Sequence, residues 1–189
     1  VSLVRVNELR QHQPEVTDPA EPRSLPEPVA GDITLNNIRF AYPGRSPVLI
    51  HTSAHFSAGH KIALSGPSGV GKSTLIDLLQ RYADPQDGQI FLDGTNIRDL
   101  PLAELRRHVA VVSQDITLFR GSLLENLRYA APQASDADVM EAAREAQLGE
   151  MIAQLPEGLA TIMGERGQRL SGGQKQRMAI ARALLQQPA

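Results

Sequence analysis

Apolar residues in this chain come in short clusters separated by turn-forming residues, and their spacing predicts alternating strands and helices. Ile33, Leu35 and residues 38–40 read as strand, closed by the turn signal Ala41-Tyr42-Pro43-Gly44. Residues 61–65 (Lys-Ile-Ala-Leu-Ser) form a short apolar run entering glycines, which predicts a buried strand. Between Ser73 and Tyr82, apolar residues at 75, 76, 78, 79 and 82 have helical spacing. The pairs Asp87-Gly88 and Asp93-Gly94 mark turns on either side of a strand over residues 89–92. Residues 109–112 (Val-Ala-Val-Val) predict a third buried strand. From about 123 to 154 the pattern turns helical. Ser135, with Asp138 three residues on, predicts a capping box, and Val139, Met140, Ala143, Ala146 and Leu148 supply an apolar face. A last helix starts at Gly172, with Met178, Ala181, Leu184 and Leu185 expected on one side. No internal repeat is visible.

The N-terminal stretch differs. Val1, Val4, Val6 and Leu9 suggest the tail of an amphipathic helix. Residues 14–31 carry Pro14, Pro19, Pro22, Pro26 and Pro28 and read as an extended linker with no packed core of its own.

Composition changes this picture only in places. Hydrophobic residues make up 41% of 189, enough for a core, and a net charge of −2 argues against a general nucleic-acid surface. With no cysteine, disulfides and cysteine-ligated metals are excluded. No run approaches the roughly 18 consecutive apolar residues of a spanning helix. The five histidines (12, 51, 55, 60 and 108) lack metal-ligand spacing and are expected at the surface or in packing roles. The sequence starts at Val1 and stops at Gln187-Pro188-Ala189, so it is expected to be a piece of a longer polypeptide.

The chemistry concentrates at residues 66–74, Gly-Pro-Ser-Gly-Val-Gly-Lys-Ser-Thr. This is the P-loop pattern, in which two glycines and Lys-Ser stand at fixed spacing. Gly66, Gly69 and Gly71 let the backbone curl around Ser68 so that successive N–H groups face one anion. Lys72 would reach the β- and γ-phosphates, Ser73 would offer its hydroxyl to Mg²⁺, and Thr74 would extend the donor row toward the α-phosphate. A chance match in a chain this long has a probability on the order of one in a hundred, and the flanking strand and helix patterns lower it further. The pattern by itself specifies a nucleoside triphosphate and leaves the reaction open.

A second glycine-containing helix start lies at Leu170-Ser171-Gly172-Gly173-Gln174. It too would present free N–H groups to a phosphate. One chain rarely needs two such surfaces, whereas two chains arranged head to tail could each serve the other's nucleotide.

On these residues the sequence resembles the ATP-binding cassette (ABC) family from about residue 32 to 189. The resemblance implies an α/β fold: a P-loop NTPase (RecA-like) core with an antiparallel β subdomain and an α-helical subdomain at about 115–165, C-terminally incomplete here. It also implies ATP and Mg²⁺ as ligands. Tyr42 stands where the family places an aromatic that stacks on adenine. Gln114 matches the glutamine that contacts Mg²⁺ and the attacking water and senses the membrane partner. Ser171, Gly172, Gly173 and Gln174 match the signature motif that closes over the γ-phosphate of a second nucleotide-binding domain, in a homo- or heterodimer. Lys72, Gln114 and Ser171 are thus the implied catalytic set, and Ser73 and Gln114 the implied metal ligands.

A narrower resemblance, to ABC exporters, rests on Gly164-Glu165-Arg166-Gly167, on residues 114–119 and on Leu124-Glu125-Asn126-Leu127. In exporters Glu165 would touch the coupling helices of a transmembrane domain. Residues 1–31 would then be the end of a membrane-domain helix and its linker, and 32–189 a partial nucleotide-binding domain at the cytoplasmic face of a membrane, expected to be the bacterial inner membrane. The family continues past the signature helix into an apolar strand ending in Asp-Glu, and later to a switch histidine. Neither appears by Ala189, so the chain alone is expected to be inactive although its parent hydrolyses ATP. Alternatives at this stage are a soluble ABC ATPase of DNA repair or translation, and a non-hydrolysing regulatory cassette.

Overall fold

The computed structural model describes residues 5, 14–164 and 170–189. The predicted N-terminal amphipathic helix, apart from Arg5, and the Glu165-Arg166 loop lie outside the described residues. The chain divides into two compact units, residues 1–106 with Ala189, and residues 107–188.

The first unit is built on an antiparallel sheet in the order β2-β1-β3-β4, with β1 Ile33–Phe40, β2 Leu49–Phe56, β3 Asp87–Leu92 and β4 Thr95–Asn96. In β1, Leu35 pairs with Ala54 on one side and Ile90 on the other. The expected strand at 89–92 starts two residues earlier, at Asp87. Gly88 fits there only as glycine: it has φ +83° where β1 and β3 slip register, and a Cβ would stand 2.4 Å from the Asn36 and Asn37 carbonyl oxygens. Helix α1, Lys72–Leu79, buries Leu75 and Leu78. It ends sooner than the apolar spacing suggests, because Arg81 turns the chain with φ 52°. Tyr82 is consequently exposed, with the Arg106 guanidinium over its ring, and does not join the apolar face. Helix α2, Leu102–His108, begins in this unit and contains the unit boundary.

The proline-rich stretch adds something that its sequence reading does not address. Its composition denies it a core of its own, yet it is docked along the unit as a strap. The Arg81 Nη2 donates to the Thr17 carbonyl at 3.1 Å, and Asp18 accepts the Leu102 N–H at 2.7 Å, filling a donor that the start of α2 leaves open. The Arg23 N–H reaches the Asp99 carbonyl at 2.7 Å, and the Leu25 N–H reaches Glu104 at 2.9 Å. The N–H groups of Ala30, Gly31 and Asp32 converge on the Asp93 carboxylate. Leu25 is buried among the core residues.

The second unit is helical: α3 Leu123–Arg128, α4 Asp136–Glu145, α5 Gly149–Gln154 and α6 Gly172–Leu185, with a small ladder of β5 Gly121–Ser122 against β6 Ile162–Met163. Leu123, Leu127, Val139, Ala143, Leu148 and Met178 form the centre of its core. Helix α4 starts as predicted: Ser135 Oγ accepts the Asp138 N–H while the Asp138 carboxylate accepts the Ser135 N–H. The same box recurs at Ser122–Glu125. On α6 the pattern holds for Met178 and Ala181, but Leu184 is exposed.

The cap bonds have a pH consequence. Bonds from the Ser135 hydroxyl and then its backbone hold the Asp138 carboxyl below its ordinary value. Backbone and side-chain bonds from Ser122 do the same for Glu125. Because the folded-state pKa is the lower one in each case, this contribution is complete above the unfolded pKa and is lost as pH falls through the folded value. Helicity of α4 measured by amide exchange is therefore expected to fall below about pH 4. Asp138→Asn should remove that pH dependence; a variant that keeps it would show that the box does not cause it.

Two predicted strands do not form. Residues 61–65 and 109–112 are assigned no strand, and Ile62, Leu64, Val111 and Val112 are 41–48% exposed. A parallel strand of this apolar kind needs ladder partners and cover on both faces. Neither run belongs to either sheet among the described residues.

Candidate functional site

The phosphate-binding pattern folds as the glycine spacing requires. Gly66, Gly69 and Gly71 take φ of +153°, +83° and +102°, values that favour glycine. A Cβ at Gly71 would stand 2.9 Å from Leu49 Cδ2 at the start of β2, so the Leu49 side chain would have to shift to admit one. The chain then enters α1 directly. No side chain caps this helix start, and its first turn carries no acidic residue. A helix beginning this way keeps its leading N–H groups and positive dipole end for an anion.

Lys72 folds over this loop, its Nζ donating to the Gly66 and Pro67 carbonyls at 2.7 Å each. Ser73 is exposed and Thr74 is buried. The loop thus offers backbone donors, one ammonium group and a free-standing hydroxyl, a donor set that fits a polyphosphate and a hard divalent cation.

Tyr42 joins this group. Its loop is closed by an Arg45 N–H bond to the Tyr42 carbonyl. The ring meets Phe40 edge-on, with centroids 5.0 Å apart at 84°. Its hydroxyl lies 3.1 Å from Thr74 Oγ1 and donates to Asp77 Oδ2 at 3.2 Å. A cleft of about 610 Å³ runs beside it, lined among others by Phe40, Asp77 and Gln86. The aromatic residue and the phosphate loop, 24 or more residues apart in sequence, therefore belong to one cluster in the first unit.

The remaining predicted residues belong to the second unit. Gln114 is exposed, next to a turn in which Ser113 Oγ donates to the Asp115 carbonyl at 2.8 Å. Ser171 is the N-cap of α6: its hydroxyl accepts the Gln174 N–H at 3.2 Å, and Gln174 Oε1 accepts the Ser171 N–H at 2.8 Å. That reciprocal cap satisfies two donors. The N–H groups of Gly172 and Gly173 remain among those a helix start leaves without an internal partner. Space around both glycines is open, with nothing within 4 Å of a notional Cβ.

Sequence reasoning missed the residue joining these two segments. Arg182, near the end of α6, donates to the Thr117 carbonyl at 2.9 Å, to the Asn126 carbonyl at 2.7 Å and to Asn126 Oδ1 at 3.1 Å. Asn126 is buried and in turn bonds both backbone groups of Phe119 and the Ser122 carbonyl. Burial pushes the Arg182 guanidinium pKa down from its ordinary value. The backbone that follows Gln114 is thereby hydrogen-bonded, at Thr117 and through Asn126, to α6. An Arg on an otherwise apolar helix face, paired with an Asn amid leucines, was the available signal.

Residues 49–189 match the family model described as ABC transporter. The uncharacterized ABC transporter ATP-binding protein YwjA of Bacillus subtilis is 40% identical over 182 residues, covering 96% of this chain and 32% of that protein. The mitochondrial iron-sulfur clusters transporter ATM1 of Candida glabrata is 39% identical over 186 residues, covering 98% of this chain and 26% of that protein. Among solved structures, a bacterial Atm1-family ABC exporter with ATP bound aligns with a TM-score of 0.92 at 38% identity, over 98% of this chain and 32% of the exporter chain. The chain therefore spans about a third or less of the proteins it matches.

Proposed function

The chain belongs to the ABC transporter family, and on that premise we propose that it is the nucleotide-binding domain of an exporter that couples ATP binding and hydrolysis to substrate movement across a membrane. The observation that carries this reading is the uncapped, acid-free start of α1 behind a loop of left-handed glycines, with Lys72 folded over it. Backbone N–H groups of residues 68–74 bind the phosphates, Lys72 takes the β- and γ-phosphate charge, and Tyr42 stacks on the adenine. Ser73 and Gln114 would hold Mg²⁺, which supplies charge neutralisation at the β- and γ-oxygens. Gln114 also orients the attacking water, and Ser171, Gly172, Gly173 and Gln174 of one domain close over the γ-phosphate held by its partner. In this reading two domains pair head to tail at the cytoplasmic face of the membrane, the bacterial inner membrane being the proposed location.

Contact with a transmembrane domain is supported by an exposed aromatic pair beside the Gln114 segment. Phe119 and Tyr129 are 43% and 64% exposed, with ring centroids 4.6 Å apart. Exposed aromatic surface is a common feature of protein interaction sites.

Residues 170–189 contain no Asp or Glu. Without a carboxylate there to polarise water, the 189-residue polypeptide by itself is expected to release phosphate orders of magnitude more slowly than an intact transporter. In the intact transporter, Ser171→Arg should leave ATP bound to each domain yet stop closure of the pair, abolishing hydrolysis and export. Wild-type export by that variant, or turnover by the isolated polypeptide at a transporter's rate, would refute the assignment.

A further inference from the structure

Tyr42 projects from a loop, and a loop side chain normally has to be ordered when a ligand arrives. Here its ring is already fixed from two directions. Phe40 packs edge-on against one side, and the hydroxyl is held by Thr74 and Asp77. Thr74 and Asp77 stand three residues apart on α1, hence on one face of the helix. Asp77 interrupts an otherwise apolar run, Leu75-Ile76-Asp77-Leu78-Leu79, where core packing alone would not call for a carboxylate.

We propose that Asp77 is a positioning residue for nucleotide-base recognition: by accepting the Tyr42 hydroxyl it locks the aromatic platform to the same helix whose first residues cradle the phosphates. The proposal rests on the reading of Tyr42 as the adenine platform. Asp77 touches neither base nor phosphate in this scheme. Its effect is to fix the distance between platform and phosphate loop, so that a nucleotide of the right span binds without ordering the loop at residues 41–45.

The test compares two ligands on the full chain by titration calorimetry: MgATP, and inorganic tripolyphosphate with Mg²⁺, which has the phosphates and no base. Asp77→Ala should weaken MgATP about fivefold, the net worth of one hydrogen bond, and leave tripolyphosphate unchanged. Asp77→Asn keeps a carbonyl acceptor for the Tyr42 hydroxyl and should restore most of the ATP affinity. Tyr42→Phe keeps the ring and loses the hydroxyl with its bonds to both Asp77 and Thr74; it should lose at least as much as Asp77→Ala, and adding Asp77→Ala to it should cause no further loss. Equal weakening of both ligands by Asp77→Ala, or no change in either, overturns the tether. Failure of the underlying reading has a separate signature: Tyr42→Ala would then leave the ratio of the two affinities unchanged. If the tether alone fails, Tyr42→Ala lowers that ratio while Asp77→Ala does not.

Discussion

Lys72→Ala should reduce ATP affinity by roughly thirtyfold to several-thousandfold, the equivalent of the about 2–5 kcal/mol that follows from stranding one side of a desolvated charge pair. Truncation removes the only side-chain cation that the P-loop itself provides, while the backbone donors and the helix end remain. The fold should hardly notice. The two bonds Lys72 makes go to carbonyls of an exposed loop, and water can replace it there. A melting temperature close to wild type, together with a calorimetric titration showing little ATP binding, is the expected pair of results. Lys72→Arg should recover only part of the affinity, because a planar fork cannot occupy the position of a compact ammonium between phosphates. Retained wild-type affinity in Lys72→Ala would remove the phosphate cradle as the basis of nucleotide binding.

Arg81→Ala should have the opposite profile, a large loss of stability with no contact to the nucleotide removed. The Arg81 side chain is 5% exposed and reaches Asp84 at 3.1 Å, the Ile97 and Leu100 carbonyls at 3.4 and 3.2 Å, and the Thr17 carbonyl at 3.1 Å. Breaking a buried ion pair from one side costs about 3–5 kcal/mol. Arg98, 3.6 Å from Asp84, keeps that carboxylate from being stranded, which places the expectation toward the lower end. Urea unfolding monitored by circular dichroism measures the loss. A second readout is local: trypsin should cut after Arg23 faster than in the wild-type chain, because the strap has lost its Thr17 anchor. A variant as stable and as protease-resistant as wild type would mean that the Arg81 bonds contribute nothing net.

How legible these features were depended on sequence separation. The P-loop, the Ser135 box and the Ser171 helix start each depend on residues within a few positions of one another, and each was readable. The strap was not, since its partners are 60 to 84 residues away: Asp93 for Ala30 to Asp32, Arg81 for Thr17, Glu104 for Leu25 and Leu102 for Asp18. Proline content correctly excluded a core within residues 14–31 but says nothing about docking on another surface. Strand β2 was missed because it shows polar His51, Ser53 and His55 outward and only Thr52, Ala54 and Phe56 inward, a weak alternation. The apolar runs at 61–65 and 109–112 erred the other way: β-propensity describes fit to a half-buried surface, and without neighbours it builds no strand. In the site, motifs single out candidate residues, but Asp77 and Arg182 bond to other side chains and backbone carbonyls, and no motif marks them.

The docked strap also settles how much slack the chain has ahead of the sheet. Undocked, these eighteen residues would have no fixed point between their ends, and a pull on one end would first be spent aligning them. Here the longest intervals between successive anchors are those from Asp18 to Arg23 and from Leu25 to Ala30. A displacement applied near residue 14 therefore meets the Thr17–Arg81 bond almost at once, and Arg81 stands two residues beyond the end of the helix that begins at the phosphate loop. The strap is thereby fastened, through Arg81, to the residues that directly follow the helix beginning at the phosphate loop.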